Sequence, residues 1–197
     1  MTRRINITFV TIGILIISII NGCEKEDKLE AVISEELSAG VRNDSLFLGI
    51  TFGLERQEFF DQCWALNKKG IVKEGMNNMS VEYIFKDSLN QPISFNFYAE
   101  FNSTKIHTYK TTFYYYAWAP SHKHFQSDVM LKMLSPILLD WYGGNEPFPY
   151  IKDGKLHYYK IDGNRMIDMY IVDDMYVAAM FRDLSHPENQ KSFNGNK

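Results

Sequence analysis

Five histidines, two cysteines, several aspartates and one aromatic run are the side chains of this 197-residue chain with chemistry to offer. His122-Lys123-His124 would set two imidazoles on one side of an extended segment. A metal would then need a third ligand from His107, His157 or an acid. The spacing supplies none, so these histidines read as solvated side chains beside Pro120, and no metal is expected. Asp173-Asp174 with Asp168, or Asp183 alone, offers carboxylates for acid–base work. Their place between two strand patterns is that of a hairpin turn, a backbone that Asp tolerates. There is no G-x-S-x-G elbow and no Gly-rich phosphate loop. The expectation is a non-catalytic chain with no cofactor.

The aromatic run Phe113-Tyr114-Tyr115-Tyr116-Ala117-Trp118 offers contact rather than reaction. Strand alternation puts Tyr114, Tyr116 and Trp118 on one face, Phe113 and Tyr115 on the other. Tyr158 and Tyr159 repeat the split. Rigid amphipathic rings on an open sheet give contact area at little entropic cost and suit a protein surface or the face of a sugar. Tyr114, Tyr116, Trp118 and Tyr158 are thus the candidate partner-binding residues.

These rings need a scaffold. A composition of 45% hydrophobic and 23% charged residues is that of a globular chain. Residues 54–69 read as a helix, with Phe59, Phe60, Cys63, Trp64 and Leu66 on one side and Gly70 as its stop. Cys63 falls in that stripe, where a buried, inert thiol is expected. Strands follow at 81–85, 93–101 and 106–118, the second with the clearest period-2 alternation in the chain. A second helix is predicted over 122–142, with Ser121 as N-cap, a kink or break at Pro136 and a stop at Gly143-Gly144. Four more strands at 148–152, 156–161, 166–172 and 175–181 form a meander. The reading is α+β: two helix-plus-antiparallel-sheet units, 45–119 and 120–182, packed into one body over 45–182. Each unit is only about 70 residues, too small to stand well alone. Residues 183–197 read as a loose tail.

The N-terminal end says where the chain lives. Arg3 and Arg4 precede an apolar run from Ile5 to Ile20, shorter than a comfortable membrane span. Ile20-Asn21-Gly22-Cys23 resembles the bacterial lipobox. The resemblance implies that 1–22 is a signal peptide and that Cys23 carries a diacylglyceryl thioether and an acylated amine. Several acyl chains hold firmly, at about 0.8 kcal/mol per buried methylene. Lys25-Glu26-Asp27 resembles the export signal of surface lipoproteins in Bacteroidota, which implies the outer face of the outer membrane, the alternative being a periplasm-facing anchor. Residues 23–44 would be a tether, with a weak helical stripe of Leu29, Val32, Ile33 and Leu37. With Cys23 lipidated, Cys63 has no disulfide partner.

The helix-then-sheet plan, with Ile50-Thr51-Phe52-Gly53-Leu54-Glu55 and then Glu58 before the first helix, resembles the small lipoprotein domains of the BamE/SmpA type and their tandem form in the beta-lactamase inhibitor protein. That resemblance implies a binding or scaffold role. Asp44-Ser45-Leu46 and Asp87-Ser88-Leu89 resemble Bacteroidota O-glycosylation sites. The charge, 21 Lys and Arg against 24 Asp and Glu, argues against a nucleic-acid partner. Three functions follow in order: a membrane-anchored, non-catalytic module binding a protein, glycan or envelope component; a periplasm-facing envelope assembly or scaffold factor; and a hydrolase or metal enzyme, should His122, His124 and His157 converge.

Overall fold

The computed structural model describes residues 28–75, 79–88 and 90–194. Cys23, the lipobox and Lys25-Glu26-Asp27 lie outside the described residues, as does Leu89. Among the described residues the fold is α+β: four α-helices and a single antiparallel sheet of eight strands. The helices are α1 (Lys28–Ser38), α2 (Arg56–Lys68), α3 (Ser127–Tyr142) and α4 (Pro187–Asn194). The strands are β1 (Lys73–Glu74), β2 (Val81–Lys86), β3 (Pro92–Asn102), β4 (Lys105–Tyr115), β5 (Phe148–Lys152), β6 (Lys155–Asp162), β7 (Arg165–Ile171) and β8 (Val177–Asp183). Their spatial order is β1-β2-β3-β4-β8-β7-β6-β5. Each half of the chain forms its own four-stranded meander, and the two join edge to edge where Thr111 pairs with Ala179 and Phe113 with Val177. The halves therefore meet through backbone hydrogen bonds in one sheet.

Alternation gives the sheet two different faces. Phe95, Phe97, Tyr109, Phe113, Ala179 and Phe181 point to one side and are buried under Met130, Leu134 and Leu138 of α3. The rings there interlock, with Phe95 stacked on Phe113 at 4.6 Å and Phe47 edge-on to Phe95 at 4.7 Å. Such pairs add about 0.5–1.5 kcal/mol each beyond the area they bury. The segment before α2 contributes Leu46, Ile50 and Phe52 to the same core. Its turn closes on β4: Gly53 N donates to Ile106 O at 2.8 Å, with Gly53 at φ +78°, a conformation that favours glycine. Glu58 Oε2 accepts from Glu55 N and closes the first turn of α2.

On the opposite face α1 lies across the β6 side of the sheet. Leu29, Val32, Ile33 and Leu37 pack on Tyr159, Ile161, Met166 and Leu184, so the weak stripe in the segment read as a tether is a docking face. Glu36 completes the contact by accepting from Gly163 N and Asn145 Nδ2, both at 2.7 Å. The segment read as a loose tail contains α4, held through Asn189, which donates to His107 O and Asp183 O.

The second helix differs from its sequence pattern at its start. Lys123–Phe125 form a separate 3₁₀ turn, and Gln126 is extended, its side-chain amide donating to Ala119 O and His122 O. The helix begins at Ser127 rather than beyond Ser121, and it continues through Pro136 to Tyr142. Leu134 and Leu138, fully buried on either side of the exposed Pro136, hold it against the sheet. No helix among the described residues is long and apolar enough to cross a membrane.

Candidate functional site

β4 carries Tyr114 to the sheet face opposite α3. There its ring meets Tyr116 at 5.8 Å and Tyr176, from the approach to β8, at 5.3 Å. Tyr116 lies just past the strand end and is 43% exposed. Polar contacts fix it in place: its hydroxyl donates to Glu82 Oε1 at 2.7 Å, and Lys73 Nζ donates to that hydroxyl at 3.0 Å. Lys73 also pairs with Glu82 Oε2 at 2.9 Å and lies 5.5 Å from the Tyr116 ring centroid. Below them Ser94 Oγ donates to Glu82 and Asn96 Nδ2 donates to Ser94. Burial would raise the Glu82 pKa, but the hydrogen bonds from Ser94, Lys73 and Tyr116 outweigh it and hold the carboxyl below its ordinary value. Its bonds to Tyr116 first and then to Glu82 push the Lys73 ammonium up.

Beyond Lys73 the apolar surface continues to α2. One groove of about 350 Å³ is lined by Trp64, Asn67, Lys73, Glu74 and Val81. The next, of about 480 Å³, is lined by Phe59, Phe60, Met79, Ser80, Val81 and Tyr98. Trp64 is 64% exposed and Met79 75%. Lys68 sits over the Trp64 ring at 5.6 Å. The result is a band of rings and a thioether running from Phe60 past Lys73 to Tyr176. Sequence reasoning placed Phe60 and Trp64 in the core stripe of the first helix. In the fold only Phe59 and Cys63 of that helix are buried, so the stripe is narrower than its apolar content suggests. Tyr176 and Lys73 carried no sequence signal, because only strand pairing and a hairpin bring them to Tyr114 and Tyr116.

The remaining candidates divide. Trp118 lies outside β4, in the turn after it, and its indole N–H donates to Asp174 O at 3.1 Å. Tyr158 pairs with Met169, which pairs with Ala179, and so lies on the α3 face, packed against the main core and apart from Tyr114 and Tyr116. His122 and His124 stand at the 3₁₀ turn, the first bonded to Ala117 O, whereas His157 lies in β6 bonded to Asp168 at 2.6 Å. Asp168 also pairs with Arg182, and His157 lies between the rings of Tyr159 and Tyr170. The three histidines do not form a ligand group; among the described residues such a group is made instead by His107, His186 and Glu188. Asp173 accepts from Met175 N and Tyr176 N, the turn its sequence position suggested. Asp183 is held by Asn164 and Ser185. Cys63 is buried, and burial pushes its thiol up to about 11, which leaves it a poor nucleophile. Ser45 and Ser88 are both exposed.

No protein-family model, curated protein or solved structure matches the chain.

Proposed function

We propose that the chain is an envelope lipoprotein, held to the membrane by lipid on Cys23, whose body is a non-catalytic module that binds a protein partner. The order of Arg3-Arg4, apolar run and Gly22-Cys23 supports the anchor. Lys25-Glu26-Asp27 supports export to the cell surface in preference to a periplasm-facing scaffold. The observation that carries the binding role is the exposure of Phe60, Trp64, Met79, Tyr98 and Tyr116 around the β1–β2 edge of the sheet. Contiguous exposed apolar surface with aromatic anchors is the usual mark of a partner site. Lys73 and Glu82 hold Tyr116 in one orientation before any partner arrives, which lowers the entropic cost of binding.

The body is read as two units of one plan, in keeping with the resemblance to tandem helix-on-sheet domains. Its support is the order α2 then β1–β4, repeated as α3 then β5–β8, with the last strands β4 and β8 paired across the middle.

The test of the binding role uses the lipidated protein extracted in mild detergent from its own host. A protein partner in fixed stoichiometry is expected with the parent and lost from a Trp64→Ala/Met79→Ala double variant of unchanged melting temperature, both side chains being mostly exposed. Equal retention by both overturns the assignment to this band. The anchor has its own test. Cys23→Ser is expected to remain unprocessed by lipid transfer and to leave the membrane fraction in an alkaline wash; retention there contradicts the anchor.

A further inference from the structure

At the β3–β4 hairpin end of the sheet, α4 meets β4 through an unusual set of side chains. Asn189 Nδ2 donates to two carbonyls, His107 O and Asp183 O, both at 2.9 Å. Its amide orientation is therefore fixed, with Oδ1 turned to Thr108 Oγ1 at 3.1 Å. The single hydroxyl hydrogen of Thr108 is spent on that oxygen. Toward His107 Nδ1, 3.1 Å away, Thr108 can then only accept, so Nδ1 carries the ring hydrogen. In the neutral imidazole this leaves Nε2 as a bare lone pair. That nitrogen lies 3.4 Å from a carboxylate oxygen of Glu188. Two acceptors then face each other, a geometry that a shared proton or a bound metal cation would satisfy.

A second imidazole stands beside this pair. The His186 ring stacks on His107 with centroids 4.7 Å apart, and one ligand atom from each of His107, His186 and Glu188 lies within 4.8 Å of the other two. We propose that His107, His186 and Glu188 form a binding site for a divalent transition-metal ion of the zinc type, which fastens α4 to the rim of the sheet. Two ligand atoms on a tetrahedral zinc, each about 2.0–2.2 Å from the ion, stand about 3.3–3.6 Å apart. The His107–Glu188 spacing of 3.4 Å already meets that. His186, between the end of β8 and the first turn of α4, meets Asn102 Nδ2 through Nε2 at 3.2 Å, and its ring would turn inward by giving up that contact for the ion. Two imidazoles and a carboxylate suit zinc or its late-row neighbours better than calcium or magnesium, which prefer oxygen ligands. The Glu188 side chain is 51% exposed, so water can complete the shell. Thr108 is the outer partner that sets the His107 tautomer, as metal-bound histidines usually require.

The test is calorimetric titration of zinc chloride into the untagged, detergent-solubilised protein after chelator treatment, alongside a thermal melt. One equivalent should bind with a micromolar or lower Kd and raise the melting temperature, and excess chelator should reverse the rise. Glu188→Gln and His186→Ala, both away from the core, should each weaken zinc binding at least tenfold while leaving the zinc-free melt unchanged. No zinc uptake, with a proton on His107 Nε2 instead, overturns the proposal. So does uptake that both variants retain at parental affinity.

Discussion

Lys160 is fully buried, on the same sheet face as the α3 contacts, and its ammonium is engaged on every side. It donates to Gly143 O and to Asn145 O at 2.9 Å, capping the end of α3, and pairs with Asp162 Oδ2 at 2.6 Å. Asp162 in turn accepts from Asn145 N, and Gly144 is packed so closely that a Cβ there would lie 2.1 Å from Asp162 Oδ1. Removing one partner from a buried pair leaves the other uncompensated, which costs about 3–5 kcal/mol. Lys160→Met is expected to lose stability of that order in urea unfolding, although its volume is kept. Glu82 makes a pH prediction. Its folded pKa is held below the unfolded value, so its stabilisation is present above about 4.5 and fades as pH falls through the lower folded value. The stability gap between the parent and Glu82→Gln should therefore narrow steadily below pH 4.5. A gap independent of pH in that range contradicts the hydrogen-bonded carboxylate.

Elements are where local pattern and tertiary packing can be told apart. The alternation over 93–101 placed Phe95 and Phe97 on the buried face and Ser94 and Asn96 on the other, and β3 keeps that split. Gly143-Gly144 stops α3 as its backbone chemistry demands. The start of α3 was not readable, because Gln126 breaks the pattern by bonding Ala119 O and His122 O, and Ser127 N bonds the distant Asp174 O. Nor was the docking of α1 and α4, whose stripes are weak and whose partners lie more than a hundred and about eighty residues away. Pro136 tests how α3 is held. It is exposed, denies the helix one backbone bond and clashes with the preceding turn, yet the helix continues past it. Packing of Leu134 and Leu138 offsets that cost. Pro136→Ala should restore the bond and raise stability by about 1–3 kcal/mol, read as a shift in the urea midpoint at unchanged slope.

At the scale of the whole molecule, eight strands form one sheet whose two faces are used differently. One is closed by α3 and the segment before α2. The other is covered by α1 at its β6 side and leaves the Tyr114–Tyr116–Tyr176 surface uncovered by any described helix. Helix α2, whose Phe59 and Cys63 join the α3-side core, sets its groove round the β1–β2 edge. Half of this was legible in the sequence: Tyr114 and Tyr116 share a strand period, which local alternation reveals. Trp64, Met79, Lys73 and Tyr176 did not stand out, because their proximity is made by the β1–β2 and β7–β8 hairpins and by the narrow buried stripe of α2. Tyr158 was assigned by the same alternation as Tyr114, but pairing through β7 and β8 turns it to the α3 side.

The central claim is that this band holds a protein partner at the envelope. A photo-crosslinking residue placed at Trp64, at Tyr116 or at the distant exposed Lys132 and activated on living cells of the native host tests it directly. The account predicts one discrete adduct of the same mass from Trp64 and Tyr116, absent from Lys132. No adduct at either band position, or the same adduct from all three, contradicts it.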